Sequence, residues 1–123
     1  MAQIDMEHAK KEFDKYLRDF DLENPKILLK KVHTYGVIKA ADYICTREEL
    51  GAGDRDLALL IALLHDIGRF EQLRAYNSYD DDRFDHARFG VKLLFEQGKI
   101  RDFISCADYD EVIRQSIACH SMY

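Results

Sequence analysis

With 123 residues, 47% apolar and 33% charged, the chain has the length and balance of one folded domain, which excludes a disordered or fibrous protein. A formal charge of −5, with the basic residues scattered rather than blocked, argues against a nucleic-acid partner. Residues 1–20 are charged throughout, Leu57–Leu64 is too short to span a bilayer, and Cys45, Cys106 and Cys119 form no C-x-x-C pair. A reduced, cytoplasmic protein with no membrane partner is the expectation.

Helical periodicity dominates. Ala9, Phe13, Tyr16, Leu17 and Phe20 recur at three-to-four spacing and predict a first amphipathic helix over about residues 4–20. Asn24-Pro25 supplies an N-cap and an N1 proline for a long helix running through His33 to about Glu49, closed by a turn at Gly51 and Gly53. Asp54 then caps a helix whose body, Leu57–Leu64, is apolar all round and therefore central. Its predicted end at Gly68 puts His65 and Asp66 on the last turn. Tyr76–Asp85 is rich in Asp, Asn and Ser and predicts an irregular stretch. Asp82 or Asp85 caps a helix from His86 to about Gln97, stopped by Gly98. Asp108-Tyr109-Asp110-Glu111 resembles a capping box for a last helix carrying Val112, Ile113, Ile117 and His120. No run alternates well enough for a strand. The fold expected is all-α, a single compact bundle of about five helices spanning residues 1–123.

Four histidines lie on apolar stripes of these helices. His33 is in line with Leu29, Gly36, Val37 and Ala40, His86 with Phe89, Gly90 and Leu93, and His120 with Ile113, Ser116 and Ile117. His65 is followed directly by Asp66 at the end of the central helix. Taken singly, each is more simply a structural histidine donating to a backbone carbonyl. Taken together, several helices would each direct an imidazole inward toward a carboxylate. Burying that many titratable rings is unfavourable unless a metal compensates. Histidine with carboxylate suits Fe, Mn, Zn, Co or Ni rather than Ca or Mg.

The order His33, His65-Asp66, His86, His120 resembles the H…HD…H…H pattern of the HD superfamily of metal-dependent phosphohydrolases. Leu64-His65-Asp66-Ile67-Gly68-Arg69 is similar to its H-D-I-G-[KR] stretch. Asp85-His86-Ala87-Arg88-Phe89-Gly90 and Ile117-Ala118-Cys119-His120 resemble segments of the branch with extra histidines. The resemblance, from about Pro25 onward, implies an HD-type helical bundle and one or two divalent transition metals. His33, His65 and Asp66 would hold a first metal, and Asp66 would bridge to a second held by His86 and His120. Asp66 and Arg69 would be the catalytic residues. The implied activity is hydrolysis of a small phosphorylated substrate, a phosphoester or phosphoanhydride such as a nucleotide, by metal-activated water. Arg69 occupies the family's phosphate-contacting position, and its alternative role is that of a helix C-terminal residue complementing the dipole.

One departure stands out. The family pattern closes with an aspartate after the last histidine, whereas only Ser121, Met122 and Tyr123 follow His120. The expectation is a fragment lacking its C-terminal helices; a site finished by a partner chain and a weak or missing metal are the other readings, and a truncated bundle exposing an apolar flank is a candidate homodimer. Two further functional readings stay open: a mixed-valent di-iron oxygenase with the same ligands, and a non-catalytic ligand-binding scaffold. Arg74, Arg83 and Arg88 are weaker candidates for meeting polyphosphate, and Cys119 reads as a core residue.

Overall fold

Asp5 accepts a hydrogen bond from the His8 amide at 3.0 Å and so starts α1 (Met6–Leu17) in the computed structural model, which describes residues 4–82 and 84–119. The Asn24 side chain does the same for Lys26, and Pro25 opens the long α2 (Pro25–Arg47). Further along the chain come α3 (Ala52–Leu64), α4 (Gly68–Tyr76) and α5 (His86–Val91), the last of which continues as a π-helical turn, Lys92–Glu96. A short α6 (Ile100–Phe103) and then α7 (Asp110–Cys119) complete the described residues, among which there is no strand. The all-α expectation holds, with five helices of nine residues or more: α1, α2, α3, α4 and α7. No helix among the described residues is long and apolar enough to cross a membrane.

The apolar run predicted to be central is central. Leu60, Leu63 and Leu64 of α3 are fully buried, and α3 packs against α1, α2 and α7. Ala9, Phe13 and Leu17 of α1 face it, as their spacing requires. Phe13 meets the ring edges of Phe70 (5.8 Å between centroids) and Tyr35 (6.1 Å), which ties α1 to α4 and α2. His8 is exposed, and its ring Nε2 lies 2.8 Å from the Asp102 carbonyl, joining α1 to α6. Gly98, at φ +77°, ends the π turn in a conformation that favours glycine.

Several expectations need correction. Gly51 and Gly53 do not both sit in the turn. Gly51 is the N-cap of α3, with no side-chain cap, while Gly53 and Asp54 lie in its first turn, where the Asp54 carboxylate complements the helix dipole. Gly68 does not end a helix. The chain turns over residues 65–67, and Gly68 is the first residue of α4, an element the sequence pattern did not separate. The last helix begins at Asp110, and Glu111 reaches forward to Arg114 and Gln115 instead of back toward Asp108, so no capping box forms. Cys119 is exposed.

The largest correction concerns α2. Its buried stripe is Ile27, Thr34, Ile38 and Cys45, so Leu29 (63% exposed), His33, Gly36 and Ala40 lie on the outer side with Val32, Tyr43 and Ile44. Apolar residues occur on both sides of this helix, and spacing alone therefore could not choose which side faces the core. The stripes expected for His86 and for the last helix do face inward: Gly90, Leu93, Ile113 and Ile117 are buried.

Candidate metal centre

The centre forms where the chain breaks between α3 and α4. His65 follows the last residue of α3, and Asp66 lies in the turn, only 8% exposed. Glycine at 68 lets the start of α4 press against the start of α5: a Cβ there would lie 2.0 Å from the His86 carbonyl oxygen and 3.0 Å from the Gly90 amide nitrogen. This contact brings His86, which is 2% exposed, up to Asp66. Asp85 caps α5 through the Arg88 amide at 3.2 Å and so orients the first turn that carries His86.

The two oxygens of Asp66 face different partners. Oδ2 is 3.3 Å from His65 Nε2 and 3.2 Å from Lys30 Nζ, while Oδ1 is 3.3 Å from His86 Nε2. His33 approaches from the rim of α2, its ring centroid 6.4 Å from that of His65. One potential ligand atom from each of His33, His65 and Asp66 falls within 4.8 Å of the others, close enough for a single cation. His33 thus joins the centre from an exposed helix side, not from the core. His120, the remaining predicted ligand, lies outside the described residues.

Both imidazoles near Asp66 are oriented by their other nitrogen. His65 Nδ1 lies 2.6 Å from the Ala62 carbonyl, which can only accept, so this nitrogen carries the proton in the neutral ring. His86 Nδ1 lies 2.9 Å from Asp81 Oδ1 and 3.1 Å from Oδ2, which selects the same tautomer. In each neutral ring the bare Nε2 lone pair then faces a carboxylate oxygen. Two acceptors repel at that separation unless a proton or a metal cation lies between them. A His ligand steadied through its second nitrogen by a carbonyl or carboxylate is the usual supporting arrangement of metal sites. The donor set therefore fits divalent transition metals.

Around this centre residues 77–82, 84 and 85 form an outer wall. Asn77 ends α4 in the left-handed region (φ 51°); its side-chain oxygen accepts from Asn24 at 3.0 Å and its carbonyl accepts from Lys26 Nζ at 2.6 Å. Gln72, fully buried, donates through Nε2 to the Asp80 and Phe84 carbonyls (3.0 Å each) and to Asp81 Oδ1 (2.9 Å). Arg69 Nη1 donates to Gln72 Oε1 (2.7 Å), the Tyr79 carbonyl (2.8 Å) and Asp81 Oδ1 (3.3 Å). Partial burial pushes the Asp81 carboxyl up, but the His86 ring and amide, aided by Arg69, outweigh this and hold it below its ordinary value. Leu29, Lys30, His33, Arg69 and Tyr79 line a cleft of about 360 Å³, so that His33 belongs both to this cleft and to the group with His65 and Asp66.

Arg69 is the second residue of α4, so it cannot complement a helix C-terminus, and that alternative is overturned. Arg74 pairs with Glu71 and stacks 4.3 Å from the Phe20 centroid, away from the cleft lining; Arg83 lies outside the described residues. Lys30 and Gln72 are the site residues that sequence reasoning did not single out. Lys30 stands one turn before His33, and Gln72 one turn after Arg69, the spacing at which helical side chains meet.

No curated protein and no solved structure matches the chain. The family model described as HD domain matches residues 32–122. That span takes in His33, the His65-Asp66 turn and His86, the residues gathered at the centre, and the chain belongs to the HD-domain family.

Proposed function

We propose that the chain is a metal-dependent phosphohydrolase that binds one or two divalent transition metals and cleaves a small phosphoester or phosphoanhydride. The observation that carries this reading is the division of Asp66: Oδ2 faces His65 on the His33 side, and Oδ1 faces His86. In this reading His33, His65 and Asp66 would hold one cation and Asp66 with His86 a second, to which the family resemblance assigns His120, a residue outside the described ones. When bound, such cations acidify water and draw charge from the phosphoryl oxygens.

The chain's own residues do the rest. Ala62 and Asp81 keep the His65 and His86 lone pairs aimed inward, so no reorientation is needed when the ligands engage. Arg69 uses Nη1 to hold the loop and lines the cleft, where its other N–H groups suit a phosphoryl oxygen. Leu29 and the Tyr79 ring border the same cleft and suit the organic part of a substrate, including a nucleoside. The free cysteines are consistent with a cytoplasmic setting.

The test is phosphate release from nucleotides and an aryl phosphate in the presence of Mn²⁺ or Fe²⁺. Release that is lost in His65→Ala and Asp66→Ala supports the assignment, and undiminished release in both variants sinks it. Iron-dependent oxygen consumption with an organic substrate, without phosphate release, would make the protein an oxygenase instead. A folded protein that retains no metal would make it a scaffold.

A further inference from the structure

Lys30 lies inside the centre without belonging to the ligand set. Its ammonium is 3.2 Å from Asp66 Oδ2 and 5.5 Å from the Tyr79 ring centroid, and its side chain is only 14% exposed. The oxygen it holds is also the one facing His65, within the group of atoms close enough to share a cation. A metal taken up by His33, His65 and Asp66 competes with the ammonium for that oxygen.

This competition changes the charge balance of the cleft. Without a metal, Lys30 is balanced by Asp66 and Arg69 by Asp81. A divalent cation adds two positive charges and takes the carboxylate that balanced Lys30. The ammonium then has a lining of Leu29, His33, Arg69 and Tyr79, none of which is anionic. A partly desolvated ammonium in such a cleft strongly favours an incoming anion.

We propose that Lys30 is a second anion-binding residue of this cleft beside Arg69, held in reserve by Asp66 and released when a divalent cation takes that carboxylate. The inference rests on the metal-dependent reading of the centre and adds an order to it: metal first, phosphate second. Metal-free protein then binds phosphate more weakly, because the Lys30 ammonium is already paired with Asp66.

Two variants separate charge from packing. Lys30→Met keeps the length and removes the charge, and Lys30→Arg keeps the charge. Isothermal titration calorimetry with Mn²⁺ alone reads the competition, and inorganic phosphate titrated into Mn²⁺-loaded protein reads anion capture. The expected result is Mn²⁺ binding about threefold to tenfold tighter in Lys30→Met, with phosphate binding about tenfold weaker, and wild-type-like behaviour in Lys30→Arg. Circular dichroism checks that each variant is folded. Mn²⁺ binding with equal affinity in wild type and Lys30→Met, or unchanged phosphate binding, overturns the role of Lys30 alone. Failure of the wild-type chain to bind Mn²⁺ overturns the metal reading and this role with it.

Discussion

Asp66 Oδ1 and His86 Nε2 lie 3.3 Å apart although one residue sits in the turn after α3 and the other begins α5. Their meeting depends on Gly68, where any Cβ would collide with the His86 carbonyl. Gly68→Ala is expected to cost about 3 kcal/mol of stability, because backbone on both sides must shift. The same change at Gly36, on the exposed side of α2 with nothing within 4 Å, is expected to stabilise by about 0.5–1 kcal/mol through helix propensity. Urea denaturation of the two variants tests the contrast, and equal effects would refute it.

Asp66→Asn removes the charge shared by both sides of the centre while keeping its shape. Loss of a ligand should exceed the roughly 10- to 100-fold typical of a supporting residue, so Mn²⁺ affinity is expected to fall by more than about 100-fold. Calorimetry measures this directly, and a fall of less than about tenfold would remove Asp66 from the ligand set.

Asp81→Asn tests the supporting layer. The amide oxygen can still accept from His86 Nδ1, but the charge that orients and strengthens the ring is gone. Metal affinity is expected to drop about 10- to 100-fold, with the fold intact by circular dichroism. An unchanged affinity would show that His86 is oriented by packing alone.

Tyr16, which is not among the residues of the centre, provides a pH signature. Burial, then the Glu71 carboxylate and also Asp19, push its phenol above the ordinary value, against a smaller opposing pull from Arg74. The unfolded chain releases this proton near about pH 10, whereas the folded chain keeps it. The stabilisation is therefore complete below about pH 10 and is lost as pH rises beyond it toward the folded value. Denaturant midpoints at about pH 9 and about pH 11 should fall less in Tyr16→Phe than in wild type. An identical fall would mean that Tyr16 titrates normally.

The His65-Asp66 pair at the end of the central helix and the buried stripe behind His86 were legible because local spacing decides them. His33 was legible as a ligand candidate but not as a rim residue, since α2 carries apolar side chains on its outer side as well. Gly68 looks like a helix stop in one dimension; its real constraint is the His86 carbonyl, eighteen residues away and invisible to periodicity. Asp81 is one of four aspartates between residues 80 and 85, the others being Asp80, Asp82 and Asp85, and nothing local marks which of them turns inward.

The loop over the cleft is held through both its backbone and its side chains. Gln72 and Arg69 grip the carbonyls of Tyr79, Asp80 and Phe84, and of the loop side chains they bind that of Asp81 alone. Side chains add to this grip: the Tyr79 hydroxyl donates to the Lys26 carbonyl at 3.1 Å, Asp80 Oδ1 accepts from the Asp82 amide at 2.9 Å, and the Phe84 ring packs on Tyr76 and Phe89. Tyr79→Phe gives up the bond to the Lys26 carbonyl but keeps a ring in the cleft lining, so the polarity of the wall can be retuned there while the carbonyl grips of Gln72 and Arg69 hold its path.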